Sequence, residues 1–341
     1  HVHHLSGLSL GLVTATRAVG VPVVLTLHDY AIPCARGQLV DRDLQPCPGP
    51  SVERCAVCLR EHLELSAATR LAGRLLSRVP QVRSRARNIV GQLPPSDQTR
   101  DRVSARMEAV QGLLNRVDII LSPSEDLANR FESLGFPRPR TCSLPLVRPV
   151  PPAPHPGTGP VRFLFLGSVI PTKGPALLLE AFGRLHPGTA TLSLAGPAPP
   201  YDGQPDFAAR LRDQARVVPG VTWLGEIAPQ AVSEVLHAHD VLVLPSTWPE
   251  NSPLVVREAT AAGLRVVASR HGGTRELDPE ARLVAAGDVE ALHRALVSEL
   301  EQGRERRCPL SWTAPMTHAE ALISEVYAPL HERATTSRTS G

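Results

Sequence analysis

The chain has 341 residues, of which 42% are hydrophobic, 20% charged and 4% aromatic. This length allows two domains with separate cores, because a domain usually holds about 100–200 residues. A net charge of +3 and plentiful Val, Leu, Ile and Ala exclude an intrinsically disordered chain. No apolar run in the sequence approaches the roughly 18 residues of a membrane-spanning helix, so we predict no such helix.

The first half of the chain contains three short β-type runs, at 21–27, 117–121 and 141–144. Three strands are too few for a complete doubly wound sheet. The sequence also opens at His1, without an initiator Met or a signal-peptide pattern. We therefore expect an α/β domain over residues 1–150 that lacks a leading strand and the loop after it.

Four of the six cysteines lie within one 25-residue loop, with the spacing C-x12-C-x7-C-x2-C. A CxxC pair with two further cysteines between Gly- and Pro-rich turns is typical of a structural, tetrahedral zinc site. Four thiolates would leave no open coordination position, so this metal would not be catalytic. Free thiols and disulfides are the alternatives, and the lack of a secretory pattern disfavours disulfides. The predicted ligands are Cys34, Cys47, Cys55 and Cys58.

Helical patterning and arginine dominate residues 59–116. Within 70–106 there are nine arginines against Asp97 and Asp101, a local excess of seven positive charges. One interpretation is a solvated helical face. The other is a basic surface for an anionic membrane or for a phosphate-bearing acceptor. A nucleic-acid surface is not indicated, because the whole chain carries a charge of only +3.

A proline-rich stretch at 145–160 separates the two halves, since seven of its sixteen residues are proline. Proline stiffens such a segment into an extended connection, and we place the domain boundary there. The second domain, 151–310, alternates apolar strands with helices, which predicts a parallel sheet covered on both faces. Its predicted strands are 161–167, 191–196, 221–225, 241–245 and 265–269, and its clearest helices are 176–185, 230–237 and 253–262.

The loop after the first of these strands has the chemistry of an anion site. Gly167 allows a turn, and Pro175 suits the first position of a helix whose N-terminal N–H groups are free. Lys173, the only lysine among 36 basic residues, lies between them. In a chain whose other basic residues are all arginine, a single lysine suggests a site that needs a compact point charge. The alternative is that this one lysine is present by chance. The loop matches neither the dinucleotide-binding pattern GxGxxG nor the Walker-type phosphate-binding pattern GxxxxGK[ST].

A second loop-to-helix junction follows the fourth predicted strand. Glu250 lies in the loop and Glu258 one turn into the helix, with seven residues between them. Ser252 is the predicted N-cap, Pro253 the first helical residue and Gly263 the C-terminal stop. Two carboxylates beside free backbone N–H groups suit a sugar, a ribose and a diphosphate together, whereas two solvated glutamates are the alternative.

Histidines stand at the carboxyl ends of several predicted strands. His271, in the sequence His-Gly-Gly, would line the same crevice as the two glutamates. His28 ends the first strand, and from the residue alone a hydrogen-bonded core histidine is the preferred interpretation. His3 and His4 look like the end of a preceding strand, from which either side chain would face the cleft, and fraying of the first residues is the alternative.

The run from Val221 to Asp288 closely resembles the donor half of family-4 retaining glycosyltransferases, which have the GT-B fold. Glu250 and Glu258 meet the family's E-x7-E signature. The loop GSVIPTKG resembles its G-R-x-x-x-x-K-G diphosphate loop, with Lys173 at the expected position. The resemblance covers about residues 1–30 and 115–330. It implies an α/β architecture of two Rossmann-like domains whose parallel sheets face each other across a cleft.

This resemblance also implies roles for single residues. Glu250 would contact the donor sugar, Glu258 the ribose and Lys173 the diphosphate, while His28 would touch the sugar near the reacting centre. The family often has Arg where this chain has Ser168, so half of the cationic clamp is absent unless another arginine supplies it. The segment 311–335 would be the terminal helix that crosses back to the first domain. The predicted catalytic residues are His28 and Glu250, and the predicted donor-binding residues are Gly167, Ser168, Lys173, Asn251, Ser252, Pro253, Leu254 and Glu258.

The resulting hypothesis is a retaining glycosyltransferase that moves a hexose from a nucleoside-diphosphate sugar to an acceptor hydroxyl in polysaccharide or glycolipid synthesis. It needs no catalytic cofactor, since helix N-termini and a lysine replace a DxD-bound metal. The expected partners are a nucleotide sugar and a carbohydrate or lipid-linked acceptor, without nucleic acid. The expected location is the cytoplasm, with a peripheral contact to the anionic inner face of the membrane. The alternatives are a GT-B nucleotide-sugar epimerase and a non-catalytic module that binds a nucleotide sugar.

Overall fold

The computed structural model describes residues 1–5, 9–64, 94–145, 150–152 and 157–339. Much of the predicted arginine-rich insert, at 65–93, lies outside the described residues, and with it six of the nine clustered arginines. Two parts of the predicted proline-rich connection, 146–149 and 153–156, also lie outside them.

A three-stranded parallel sheet carries the first half of the chain. Its strands, in spatial order, are β1 (Val24–Thr26), β2 (Ile119–Ser122) and β3 (Arg140–Thr141). Val2 adds an isolated parallel bridge to Leu25 beside β1. The predicted strands at 21–27 and 117–121 are confirmed as the shorter β1 and β2, whereas β3 shares only Thr141 with the predicted strand at 141–144.

Four described helices accompany this sheet. The two that frame the sheet's carboxyl edge begin at serine N-caps, because Ser96 Oγ accepts from Thr99 N at 3.3 Å and Ser124 Oγ accepts from Leu127 N at 3.2 Å. Leu127 and Phe131 then lie buried in the first core. The helices are α1 (Gly11–Ala18), α2 (Val52–Glu64), α3 (Asp97–Leu114) and α4 (Glu125–Ser133).

A six-stranded, entirely parallel sheet forms the second half, in the spatial order β6-β5-β4-β7-β8-β9. All five predicted strands are confirmed, and the sixth was missed because it has only three residues. Relabelled from β4, the order is 3-2-1-4-5-6, so the direction of winding reverses between β4 and β7. The strands are β4 (Val161–Leu166), β5 (Ala190–Ala195), β6 (Val221–Gly225), β7 (Val241–Leu244), β8 (Arg265–Ser269) and β9 (Arg282–Val284).

Both faces of this sheet are buried. Phe163 and Phe165 of β4 belong to one apolar cluster, and Leu164 and Leu166 belong to the opposite one. Alternate side chains of a strand point to opposite faces, so a strand buried on both sides reads as a continuous apolar run. The covering helices are α5 (Pro175–Phe182), α6 (Phe207–Arg216), α7 (Val232–His237), α8 (Leu254–Ala261), α9 (Thr274–Leu277) and α10 (Val289–Glu301).

The end of the chain returns to the first sheet. It consists of α11 (Pro315–Leu322), a π-helical turn (Ile323–Tyr327) and α12 (Ala328–Thr339). Val326 and Leu330 pack against Val24 and Leu121 of the first sheet. Among the helices that the structure describes, none is both long and apolar enough to span a bilayer.

Candidate functional site

The candidate site lies at the carboxyl ends of β4 and β7, where the sheet order reverses. The loop 167–174 follows β4, and the loop 245–253 follows β7. The two loops touch, since Thr247 N donates to Thr172 O at 2.8 Å. A side chain at Gly174 would place its Cβ 2.0 Å from the Pro245 carbonyl oxygen, so this close approach requires glycine.

Lys173 and Glu250 meet between these loops. Lys173 Nζ lies 2.6 Å from Glu250 Oε1, and the Ser246 hydroxyl donates to the same oxygen at 2.6 Å. The ammonium also lies over the indole ring of Trp248, 5.0 Å from its centroid. The lysine side chain is 20% exposed and the glutamate side chain 7%, so water screens the pair only weakly. The two charged residues that the sequence assigns to diphosphate and sugar are thus neighbours.

The backbone of Glu250 is held by the loop that follows β8. Gly272 forms a parallel bridge with Glu250, and Gly273 N donates to Glu250 O at 2.8 Å. A Cβ atom on Gly272 would lie 1.9 Å from that same oxygen. Burial lowers the pKa of the adjoining His271, which favours its neutral form. The predicted His-Gly-Gly segment therefore does border the site.

The start of α8 differs by one residue from the prediction. Pro253 is the N-cap and Leu254 the first helical residue. Ser252 Oγ does not cap the helix, because it accepts a hydrogen bond from Arg257 Nη2 at 3.0 Å. The helix ends at Ala261, two residues before Gly263, the predicted C-terminal stop.

Arg257 does not supply the cation that Ser168 leaves absent from the loop after β4. The guanidinium of Arg257 is 1% exposed and donates through Nη1 to Leu144 O at 2.6 Å. It also stacks over Trp312, 4.6 Å from the ring centroid. This arginine therefore anchors α8 to the connection between the halves, and Lys173 carries the positive charge between the two loops.

Asn251 connects the two halves of the molecule. It is 3% exposed, and its Nδ2 donates to the His28 carbonyl oxygen at 2.7 Å. Glu258 lies one turn into α8, with a partly buried side chain. The structure therefore brings Asn251 and Glu250 close to His28, and it places Glu258 on the helix that follows them.

The imidazole of His28 is exposed, so the core-histidine interpretation is wrong. His28 Nε2 lies 3.0 Å from His3 Nδ1. With His3 and His4 it lines a cavity of about 250 Å³, as expected of residues that face the cleft. Although the residue is exposed, neighbouring atoms cover part of the ring, and this desolvation, followed by the charge of His3, lowers the pKa of His28 and favours the neutral imidazole.

Trp248 and Glu276 make contacts between the halves that were not found from the sequence. Trp248 is 7% exposed and packs edge-on against Tyr30, inside the core of the first half. The Glu276 carboxylate accepts from Glu125 N at 2.8 Å and from Asp126 N at 2.7 Å, at the start of α4. The sequence shows only that Trp248 follows a predicted strand and that Glu276 follows the Gly-Gly pair. Neither position indicates which residue of the first half it contacts.

The predicted zinc site is not supported. All four cysteines lie in the described part of the chain and are free thiols, so the disulfide alternative is wrong as well. No group of three or more His, Cys, Asp or Glu side chains among the described residues is arranged to hold a metal ion. Burial raises the pKa of Cys55 and raises that of Cys58 to about 11, which keeps both thiols protonated near neutral pH. The free-thiol alternative describes this loop.

Part of the chain matches a known protein family. Residues 160–302 match the family model described as Glycosyl transferases group 1. The D-inositol 3-phosphate glycosyltransferase of Mycobacterium ulcerans (strain Agy99) is 36% identical over 109 residues, which are 32% of this chain and 23% of that protein. The protein of the same description from Mycolicibacterium smegmatis is 37% identical over 109 residues, 32% of this chain and 25% of that protein. The matched part thus spans about a quarter of these relatives.

Solved structures match nearly the whole chain. Anabaena HepE in complex with UDP has a TM-score of 0.57 at 18% identity, over 97% of this chain and 76% of HepE. The sucrose-phosphate synthase of Thermosynechococcus elongatus has a TM-score of 0.51 at 18% identity, over 97% of this chain and 91% of that enzyme. The chain therefore has the predicted GT-B fold, and its residues 160–302 are similar to the group 1 glycosyl transferases.

Proposed function

We propose that this chain, with its group 1 domain in a GT-B fold, is a glycosyltransferase that uses a nucleoside-diphosphate sugar as donor. The observation that carries the proposal is the 2.6 Å pairing of Lys173 with Glu250 between two strand-end loops. Open parallel sheets bind nucleotides in the crevice at the point where strand order reverses, and the pair lies at that point.

The donor would lie along these two loops. Lys173 and the N-terminal N–H groups of α5 and α8 would hold the diphosphate, because helix N-termini and ammonium groups both attract anions. Glu258 would bind the ribose and Glu250 the sugar hydroxyls. A UDP-sugar is the donor that we propose, since HepE is described in complexes with UDP and with UDP-glucose. The remaining donor contacts would come from Gly167, Ser168, Asn251, Ser252, Pro253 and Leu254.

Donor binding would change the partner of Lys173. In the structure its ammonium neutralises Glu250. A diphosphate offers this cation more negative charge and more acceptor oxygens than one carboxylate does. The ammonium would therefore turn to the phosphate, and Glu250, still bonded to Ser246, would be free to accept hydrogen bonds from the sugar.

The reaction would exchange one C1–O bond for another on the same face of the sugar. The bond from C1 to the β-phosphate oxygen breaks, and the acceptor oxygen bonds to C1 through an oxocarbenium-like state. The acceptor proton leaves with the departing phosphate oxygen. Lys173 and the helix N-termini would stabilise charge on the leaving diphosphate. His28 and Glu250 would position the sugar while the closed cleft excludes water.

The proposed acceptor is a carbohydrate or a lipid-linked carbohydrate, consistent with polysaccharide or glycolipid synthesis. Of the arginines that suggest contact with an anionic membrane, the structure describes Arg100, Arg102 and Arg106, all on α3. They support a cytoplasmic enzyme that works at an anionic surface or on an anionic acceptor.

Calorimetric titration with UDP, GDP and ADP tests the donor site. We expect one nucleotide to bind, with affinity lower by at least about tenfold in Lys173→Ala, because a charge-assisted contact to phosphate is lost. Arg216→Ala is the matched control, since the Arg216 side chain is 71% exposed and pairs with Asp213 on the same helix. A folded chain that binds none of the three nucleotides would contradict the proposal. Turnover of a UDP-sugar without any acceptor would favour the epimerase instead.

A further inference from the structure

A second, larger cavity lies between the two halves, away from the loops that carry Lys173 and Glu250. Its volume is about 600 Å³. Helices α2 and α3 and the cysteine-rich loop form most of its wall, and a turn of the second half completes it. Its polar lining consists of Arg36, Gln38, Arg102, Arg106, Tyr201 and Asp202.

This cavity carries an excess of positive charge. Arg36 is paired with Asp202 at 2.8 Å, which leaves two further cations. Arg102 and Arg106 are four residues apart on α3, so they lie on one face of the helix. The cavity lining thus combines three guanidinium groups with one carboxylate.

The hydrogen bonds that these two guanidinium groups make with described residues go to backbone carbonyls. Arg102 Nη1 donates to Leu63 O at 3.3 Å, and Arg106 Nη2 donates to Ala31 O at 2.8 Å. A carbonyl satisfies one N–H group but does not neutralise the charge. Partial burial lowers the pKa of Arg106, which shows that its charge is poorly solvated. An anion in the cavity would gain the attraction of both cations.

The large cavity adjoins the smaller cavity that His28 lines. It shares Ala35 and Arg106 with the 250 Å³ cavity that His28 lines. The His28 carbonyl in turn accepts from Asn251, the residue after Glu250. A molecule in the large cavity can therefore extend one hydroxyl group past Arg106 towards His28.

We propose that this cavity binds the acceptor through a phosphate monoester or diester held by Arg102 and Arg106, an assignment that rests on the proposed glycosyl transfer. Guanidinium groups suit this role, because their N–H forks match phosphate oxygens in pairs. A cavity of this volume is within the range that takes a small-molecule ligand. The phosphate belongs either to a free sugar phosphate or to a lipid headgroup.

Binding is measured with the whole chain and saturating UDP, so that phosphate probes do not occupy the donor site. The soluble probes are glucose 6-phosphate and glycerol 3-phosphate, with glucose and glycerol as uncharged controls. The lipid probe is phosphatidylinositol vesicles, with phosphatidylcholine vesicles as the control. The variants are Arg102→Gln, an exposed site where folding is not at risk, and Arg216→Gln as the surface control. Arg106→Lys keeps a charge at the second position.

We expect one phosphate probe to bind more tightly than its uncharged control, with at least about tenfold loss in Arg102→Gln and none in Arg216→Gln. If Arg102→Gln weakens binding of a soluble probe, the ligand is a free sugar phosphate or a similar small phosphate ester. If it weakens binding of the vesicles, the ligand is a lipid headgroup. Equal binding of charged and uncharged probes, or binding unchanged in Arg102→Gln, overturns the inference. UDP binding is recorded in parallel, so a failed donor site is recognised separately from a failed acceptor site.

Discussion

The Lys173 ammonium contacts the Glu250 carboxylate at 2.6 Å, although 77 residues separate them in the chain. Burying such a pair removes two charges from water, and the desolvation penalty offsets much of the attraction. Stability alone therefore gives little reason for the pair. Its geometry does suit a site that must hold a cation in place before an anionic ligand arrives.

The pair should nevertheless be coupled in stability. Lys173→Ala leaves a buried carboxylate without its cation, whereas Lys173→Ala with Glu250→Gln removes both charges. We expect the double variant to be more stable than the sum of the single changes implies, with a coupling energy of about 1–3 kcal/mol. Urea unfolding of all four proteins measures this energy. Strict additivity would show that the contact is absent in solution.

Glu250→Gln should separate nucleotide binding from transfer. The carboxylate is assigned to the sugar, so we expect UDP affinity to be retained while kcat/KM for transfer falls about 100-fold, the loss of one strong polar contact in the transition state. Ser246→Ala, which removes one neutral donor to the same oxygen, should cost about tenfold or less. Initial-rate kinetics beside UDP calorimetry test this. Full transfer activity in Glu250→Gln would refute the assignment.

Gly272 and Gly287 offer a matched pair of substitutions. Both have left-handed backbones, with φ of +80° and +79°. A Cβ at Gly272 would lie 1.9 Å from Glu250 O, whereas at Gly287 it meets nothing within 4 Å. Each alanine variant should lose about 1–2 kcal/mol of stability from backbone strain. Only Gly272→Ala should also displace Glu250 and lower the transfer rate, and equal rates would contradict the proposed support of that loop.

The pH dependence of transfer should report His28. Burial and His3 both lower the pKa of His28 from its usual value of 6.5, so the neutral form persists into mildly acidic solution. Activity should be constant near pH 7 and fall only below pH 6.5, as the imidazole gains a proton. His4 also lowers this pKa and Asp29 raises it, but His3→Ala removes the largest charge contribution, so the acid limb should move to higher pH. If His3→Ala leaves the acid limb of the pH profile in place, that limb reports a group other than His28.

Glu299 should be important for stability and not for the site. Its carboxylate is 1% exposed and pairs with Arg265 at 3.0 Å and with Arg282 at 2.7 Å. Glu299→Ala removes the carboxylate that pairs with the buried Arg265, and we expect a loss of about 3–5 kcal/mol of stability. Glu301→Ala, an exposed position on α10, is the control and should change stability by less than about 0.5 kcal/mol. Thermal or urea unfolding of the two variants measures these stability changes.

Much of the second sheet was predictable because its signals are local. The run at 265–269 matches β8 residue for residue, since a strand buried on both faces is a continuous apolar run, and the run at 221–225 matches β6, an edge strand whose side chains alternate between partly buried and exposed. β9 was missed because Arg-Leu-Val is too short to show a period. The first-half strands came out shorter than predicted, because apolar runs there continue beyond the residues that pair.

The cysteine loop shows how far spacing can be taken. The CxxC pattern correctly marks Cys34, Cys47, Cys55 and Cys58 as one local group, but coordination also requires that sulfur atoms converge on one point. The structure does not bring them together as a ligand set. Convergence depends on backbone direction at four positions, which spacing does not determine.

The sequence by itself determined the parallel α/β architecture and singled out Lys173 and Glu250. Apolar strand runs, the residues that start and stop helices, and a single lysine are all local patterns. The tertiary structure alone decided that these two side chains touch, that Asn251 bonds the His28 carbonyl and that Trp248 enters the other half's core. The physical reason is the reversal of strand order between β4 and β7. It brings together loops that are distant in sequence, and no local pattern encodes such a meeting.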